Sequence, residues 1–450
     1  MSFGIIAAME NAENEVGADQ NEVEAAQTET EVVRAEAEIN EDVVEISSDE
    51  KDMGEAVEAA DELQEMGEVA QAAVDSGEGL SEDAAAMATV AIERISLKMF
   101  GTRTQSIVPA RESFGSSNSR LAATVAVVEG IVDTIKRIWK GIKAFAMRIW
   151  DKIKMLWNKV IGSTKNYEKH LKNLRERAER LDPAATLKEN EIKNESLAKS
   201  ITNAEGKATY DTFKGHADRV RSFFDVKKQL DQSVRTISTS ILKMASGLIS
   251  KTDTTKNETG ALNSAIGAFS KLSEVAKTSV EGVENKGDTT YKFHGPLSGG
   301  IAIEVASTTV PETEHRGSFV IHNVGTRKLK KSQIADKAAA LSRAEILNVC
   351  DIGLELIKLV EGKNGELKAA EEITKATSTA ADTVIKEADE LVKNNDDKSK
   401  ALNDLKKQVD SVNRYVNAVN SLIMSNSANV IAAAANYASA GLANVKFKKK

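Results

Sequence analysis

Residues 128–161, VEGIVDTIKRIWKGIKAFAMRIWDKIKMLWNKVI, hold the most ordered pattern in the chain. Val128, Ile131, Ile135, Ile138, Ile142, Phe145, Ile149, Ile153, Leu156 and Val160 recur at three- and four-residue spacing, which lines up one face of an α-helix. Trp139, Trp150 and Trp157 are the three tryptophans of the protein, and all flank that stripe. Lys136, Arg137, Lys140, Lys143, Arg148, Lys152, Lys154 and Lys159 fill most remaining positions, against Glu129, Asp133 and Asp151. The segment therefore reads as a basic, Trp-rich amphipathic helix. Such a helix can pack its apolar stripe against partner helices while lysine stems reach outward. It can also lie in a membrane interface, where a Trp belt and a cationic back are what the surface requires. The other amphipathic helices of the chain need packing partners, which favours the first use in the assembled fold.

Those partners follow in both directions. Residues 82–100 read as a helix, with Ser81 as N-cap, acids in the first turn and Gly101 as its stop. A charge-dense block at 165–182 ends before Pro183, which disfavours helix in the residue ahead of it. Val220, Phe223, Leu230, Val234, Ile237, Ile241, Met244 and Leu248 repeat with nearly seven-residue spacing, as in a bundle or coiled coil. Further helices are expected at 261–283, 332–361, 365–393 and 398–442. The last carries the seam Leu402, Leu405, Val409, Val412, Val416, Val419 and Ile423. Between 288 and 325, short β-branched runs are punctuated by Gly295-Pro296, Gly299-Gly300, Pro311 and Gly317. They predict a small antiparallel sheet inserted in a mostly α protein.

Charge is divided along the length. Residues 1–93 carry 27 Asp and Glu against Arg34 and Lys51, so with −8 for the whole chain the remainder is +17. The stretch 10–85 is Glu-, Ala- and Val-rich and poor in aromatics, which predicts a solvated, disordered or loosely helical leader. A breaker-rich linker at 101–119 separates it from the basic body. The expected organisation is a leader at 1–112, a helical body at 113–287, the β insertion at 288–325 and a long-helix region at 326–450.

Several classes of chemistry are not encoded. No apolar run approaches the roughly 20 residues of a spanning helix, and the first residues lack a signal peptide's basic start. The single cysteine, Cys350, allows no internal disulfide and falls in the apolar pattern Ile346, Leu347, Val349, Leu354, where it reads as a small core residue. His294, His315 and His322 lie near Glu304, Glu312 and Glu314, but their spacing matches no metal motif. His294 and His315 read as loop residues. Phosphate loops, nucleophile elbows and zincin motifs are absent. We therefore expect no catalytic residues, no metal and no cofactor.

At the junction of leader and body stands Val108-Pro-Ala-Arg-Glu-Ser-Phe-Gly-Ser116, followed by Ser117-Asn-Ser-Arg-Leu-Ala-Ala123 and the Trp-rich helix. This order resembles the internal head proteins (prohead core, or ejected inner proteins) of large contractile-tailed bacteriophages. In that family an acidic propeptide ends in a short Glu-terminated site, often before Ser-Phe-Gly, cut by the phage's prohead protease during head maturation. The resemblance implies that Ala110, Arg111 and Glu112 are the recognised Ala-x-Glu, with cleavage between Glu112 and Ser113. Ala8-Met-Glu10, Ala56-Val-Glu58, Ala60-Asp-Glu62, Ala91-Ile-Glu93, Ala302-Ile-Glu304 and Ala388-Asp-Glu390 share the tripeptide. They fall in the leader or in predicted helix or strand, whereas Glu112 lies in the linker. Cutting there removes −22 and leaves residues 113–450 at +14.

The resemblance implies a multi-copy structural protein of the head interior, made in the host cytoplasm. Its partners would be the prohead protease, other head and core proteins, and packaged DNA held non-specifically through phosphates. Two other classes fit the residues: a membrane-active effector contacting a host membrane through 128–161, and a coiled-coil adaptor using the 402–423 seam.

Overall fold

The computed structural model describes residues 20–101, 116–203, 205–250, 279–299, 301–310, 319–328, 334–362, 367–393 and 397–446. The acidic N-terminal part is an antiparallel pair of helices, α1 (Gln20–Asp75) and α2 (Glu82–Phe100). α2 has the predicted ends. Ser81 Oγ accepts the Ala84 N–H at 3.2 Å, Glu82 and Asp83 occupy the first turn, and Gly101 closes the helix at φ 64°.

The Trp-rich segment lies in α3 (Ser117–Glu179), which is unbroken where the sequence suggested two helices, at 121–161 and 165–182. Gly162 costs about 1 kcal/mol of helix propensity relative to Ala, yet the stripe continues across it. Thr164, Tyr167, Leu171, Leu174 and Ala178 are all buried on that continuation. Burial outweighs the glycine.

Beyond α3 come β1 (Glu191–Ile192), α4 (Glu195–Ile201) and the long α5 (Tyr210–Ser250). From the α5 repeat, Val220, Phe223, Val234, Ile241 and Met244 are buried. The inserted sheet is an antiparallel meander of four strands in sequence order: β2 (Ser279–Lys286), β3 (Thr289–Leu297), β4 (Ile301–Val310) and β5 (Phe319–Lys328). β2 corrects the helix expected over 261–283, of which residues 261–278 lie outside the described residues. Val280 and Val283 favour strand, Gly282 weakens helix, and Lys286 pairs with Thr289 across a two-residue turn in which Gly287 takes φ 59°. That turn type demands a positive φ, which glycine supplies. His294 is a β3 residue opposite Ile303, not a loop residue. β6 (Ala338–Ala339) pairs with β1.

The C-terminal third supplies α6 (Arg343–Glu361), α7 (Lys368–Lys386), the short α8 (Ala388–Leu391) and α9 (Asp397–Ala443). α6 starts eleven residues later than the 332 boundary read from sequence, because Ser342 and Glu345 form a reciprocal capping box that sets its first turn. α9 is the central mast. Leu402, Leu405, Val409, Val416, Val419 and Ile423 of its seam are buried, and from Val416 to Ala435 nearly every face is covered. Its run Val430-Ile-Ala-Ala-Ala-Ala435 lets neighbours approach closely on all sides. One buried apolar cluster runs through α1, α3, α5, α6, α7 and α9, so the segments on either side of the sheet build one helical body.

Candidate functional site

The predicted amphipathic helix is where sequence and structure meet. Ile131, Ile135, Ile138, Trp139, Ile142, Ile149, Trp150, Ile153, Leu156 and Trp157 are buried, and Phe145 is half-buried against the same cluster. The stripe packs on α9, α7 and α6, but its most extensive partner is α1. The sequence reading kept the leader in solvent. In the structure Ile39, Ile46, Met53, Ala56, Val57, Ala60, Leu63 and Ala70 of α1 are buried.

The basis of that packing is a heptad row diluted by small residues. Ile39, Ile46, Met53, Ala60 and Gly67 stand seven apart, as do Asp42, Asp49, Ala56, Leu63 and Ala70. On α3 the matching row is Ile131, Ile138, Phe145, Lys152 and Lys159. Lys152 Nζ lies 2.9 Å from Asp49 Oδ2 and Lys159 Nζ lies 2.7 Å from Asp42 Oδ2. In both pairs the residue numbers add to 201, so the helices run antiparallel in one register. That register places Leu63 level with Ile138 and Ala56 level with Phe145. The seam is thus apolar at one end and ionic at the other. At the apolar end Gly67 abuts Ile131 Cγ2 and Val392 Cγ1, and a Cβ there would collide with Val392. Glycine is required for this close approach.

Further ions reinforce the ionic end. Glu45 Oε2 is 3.1 Å from Lys152 Nζ, and Arg148 Nη1 is 3.8 Å from Asp49 Oδ1. The Asp49 carboxylate holds the Lys152 ammonium above its usual range, and Asp42 does the same for Lys159. Deeper in, the ammonium of Lys406 on α9 is buried and bonded to Asp61 Oδ1 and Gln64 Oε1 of α1, both at 2.7 Å. Lys98 of α2 reaches Glu55 of α1 at 3.0 Å.

The rest of the basic face is also largely engaged. Lys143 binds Asp382 of α7 at 2.6 Å, and Lys136 meets Asp389 of α8 at 3.4 Å. Arg137 stacks over the Phe100 ring at 4.4 Å, while Lys154 pairs with Asp151 at 3.0 Å. Lys140 is exposed. Exposed pairs of this kind contribute about 0–1 kcal/mol each, so they set register and field more than stability. Sequence reasoning missed α1 as a partner. The signal was its seven-residue spacing, masked because Ala, Gly and Asp occupy most of the seam positions.

Ala110, Arg111, Glu112 and Ser113 lie outside the described residues, between Gly101 and Ser116. Among the described residues no group of three or more His, Cys, Asp or Glu could hold a metal, and no helix is long and apolar enough to cross a membrane. Cys350, on α6, is buried, and burial pushes its thiol up to about 12. A thiol reagent at mildly alkaline pH is expected to leave Cys350 unmodified in the native protein and to label it fully in denaturant. Rapid native labelling would contradict the packing described.

Comparison with known proteins adds one finding. The family model of phiKZ-like phage internal head proteins matches residues 10–440. No curated protein and no solved structure matches the chain. The match spans nearly all of α1 through α9, including the acidic hairpin and the sheet: the chain belongs to the phiKZ-like phage internal head proteins, components of the interior of the virion head.

Proposed function

We propose that this internal head protein is assembled with its acidic hairpin in place, cut by the phage prohead protease after Glu112, and kept in the head as a basic protein beside the packaged DNA. The observation that carries this reading is the matched pair of rows, with Asp42, Glu45 and Asp49 of α1 on Lys159, Lys152 and Arg148 of α3. Before processing, acids of the leader neutralise the most ordered basic surface of the body. Once the leader is gone, residues 113–450 carry +14, a charge suited to contact with DNA phosphates without reading sequence. Other head and core proteins would be its protein partners, in multiple copies, and passage into the host with the genome is compatible with this role. The host cytoplasm is the place of synthesis and assembly in this reading.

The test is the mature N-terminus. Mass spectrometry of the protein from mature heads is expected to find Ser113 as the first residue, and immature heads of a protease-deficient phage to hold residues 1–112. An intact N-terminus in mature heads would remove the processing step and the charge reversal with it.

A membrane-active use of 128–161 is disfavoured for the docked state, since Trp139, Trp150 and Trp157 are 0%, 6% and 1% exposed. An interfacial helix presents such residues to lipid.

A further inference from the structure

We infer that the strip of α3 and α9 beneath α1 is a docking site in its own right for an acidic amphipathic hairpin, so that cutting the chain between Gly101 and Ser116 leaves residues 20–101 bound as a second subunit. The inference builds on the processing reading above but goes past it. Cleavage becomes the first of two steps, and the basic charge of the body appears only at the second, when the hairpin leaves.

The contacts that hold the hairpin are independent of the segment to be cut. Ile39, Ile46, Met53 and Leu63 are each 1% exposed or less, and all belong to α1, which ends at Asp75, ahead of the segment to be cut in sequence. Apolar burial on this scale is the dominant attraction in association as in folding. Cutting the link replaces an intramolecular contact, with an effective concentration on the order of millimolar, by a bimolecular one. A seam of this length tolerates that change.

Charge then makes the site selective. Seam positions are apolar in most helix pairs, and a polar residue placed there specifies register and partner. Here two successive seam positions on each helix are charged, aspartate on α1 and lysine on α3. A slide of seven residues would set Lys152 level with Ala56 and strand Asp42 beyond Lys159. Lys406 adds a third requirement, because its buried ammonium is bonded to Asp61 and Gln64 of α1. The matching ligand therefore has one apolar helical face, two carboxylates seven residues apart on it, and an amide and carboxylate further along. A bare polyanion such as duplex DNA supplies the charges but not the apolar face, so it does not displace the hairpin.

The experiment uses the full chain with a site-specific protease sequence placed within residues 102–115 and cut after purification. At micromolar concentration and physiological salt, the two fragments are expected to co-elute on size exclusion and to separate in denaturant. Adding duplex DNA is expected to leave them together. In Lys152→Glu/Lys159→Glu the fragments should bind roughly 100-fold more weakly. Combining it with Asp42→Lys/Asp49→Lys should restore most of the affinity. Separation of the nicked wild-type fragments under native conditions overturns the inference, as does release by DNA. Equal retention by the charge-reversed variant would overturn the selectivity. The wild-type result alone decides retention, so a variant that fails to fold does not blunt the test. Because the cut is engineered, the outcome is separate from whether the phage protease acts at Glu112.

Discussion

Trp157→Ala is expected to destabilise the folded chain by about 3–5 kcal/mol, read as a lower urea midpoint at unchanged slope. Trp157 is 1% exposed on the stripe of α3, between the buried Leu156 and Val160. Truncation there removes a large apolar surface and opens a cavity that two-sided packing cannot refill. Trp139 sets the comparison. It is fully buried, and its indole Nε1 finds no hydrogen-bond partner among the described residues. Trp139→Phe removes that unsatisfied donor along with some contact area. The two effects oppose each other, and the change is expected to cost less than about 1.5 kcal/mol. Were these tryptophans membrane anchors on an exposed face, both substitutions would leave stability within about 0.5 kcal/mol and lower only vesicle binding. Equilibrium unfolding of the two variants separates the cases.

A second large effect is loss of stability in mild acid. His170 on α3 and His216 on α5 are buried, and desolvation lowers both to about 4 from 6.5. Arg177 adds repulsion at His170, and Arg219 does so at His216. His216 Nε2 lies 3.0 Å from the Thr202 carbonyl oxygen, a bond that only partly offsets burial. With the folded value below the unfolded one, the unfolded chain binds the proton first. The contribution of each histidine is therefore complete above pH 6.5 and is lost as pH falls from there towards 4. By pH 5 the loss is roughly 2 kcal/mol per histidine. His216→Gln is expected to remove about half of that pH dependence, measured by urea unfolding across the same range. A flat profile in the wild type would show that neither imidazole is desolvated.

The parts of the fold legible in sequence were those in which large apolar residues repeat without dilution. Ile131 to Val160 announced α3, Ser81 and Gly101 bracketed α2, and Leu402 to Ile423 announced α9. The β insertion was legible from Thr289, Ile301 and Phe319 onward, where β-branched residues and glycine punctuation coincide. Where the reading fell short, the deciding interaction was distant in sequence. The sequence suggested two helices, ending near 161 and beginning near 165, because the burial that carries α3 across Gly162 comes from other helices. Val280 and Val283 were assigned to a helix, because the partner strand that pairs them is only apparent once the Gly287 turn is placed. α1 was the largest omission. Its seam interleaves Ile39, Ile46, Met53 and Leu63 with Ala60, Gly67, Asp49 and Asp42, and these last residue types by themselves signal a solvated helix. Their meaning comes from Lys152 and Lys159, more than 100 residues away in sequence. The counter-charges of the basic face lie on α1, α7 and α8, and sequence alone did not pair them with it.

The constant sum of 201 across the α1–α3 pairs has a bearing on how this protein can change over generations. Apolar and charged positions share the same period of seven, and the two helices run in opposite directions with α2 between them in sequence. Gain or loss of one to six residues inside either helix would rotate part of its seam to the far side and separate each aspartate from its lysine. Only a whole heptad, matched in both helices, leaves the pattern intact. Length variation in α1 and α3 among relatives should therefore be quantised in steps of seven.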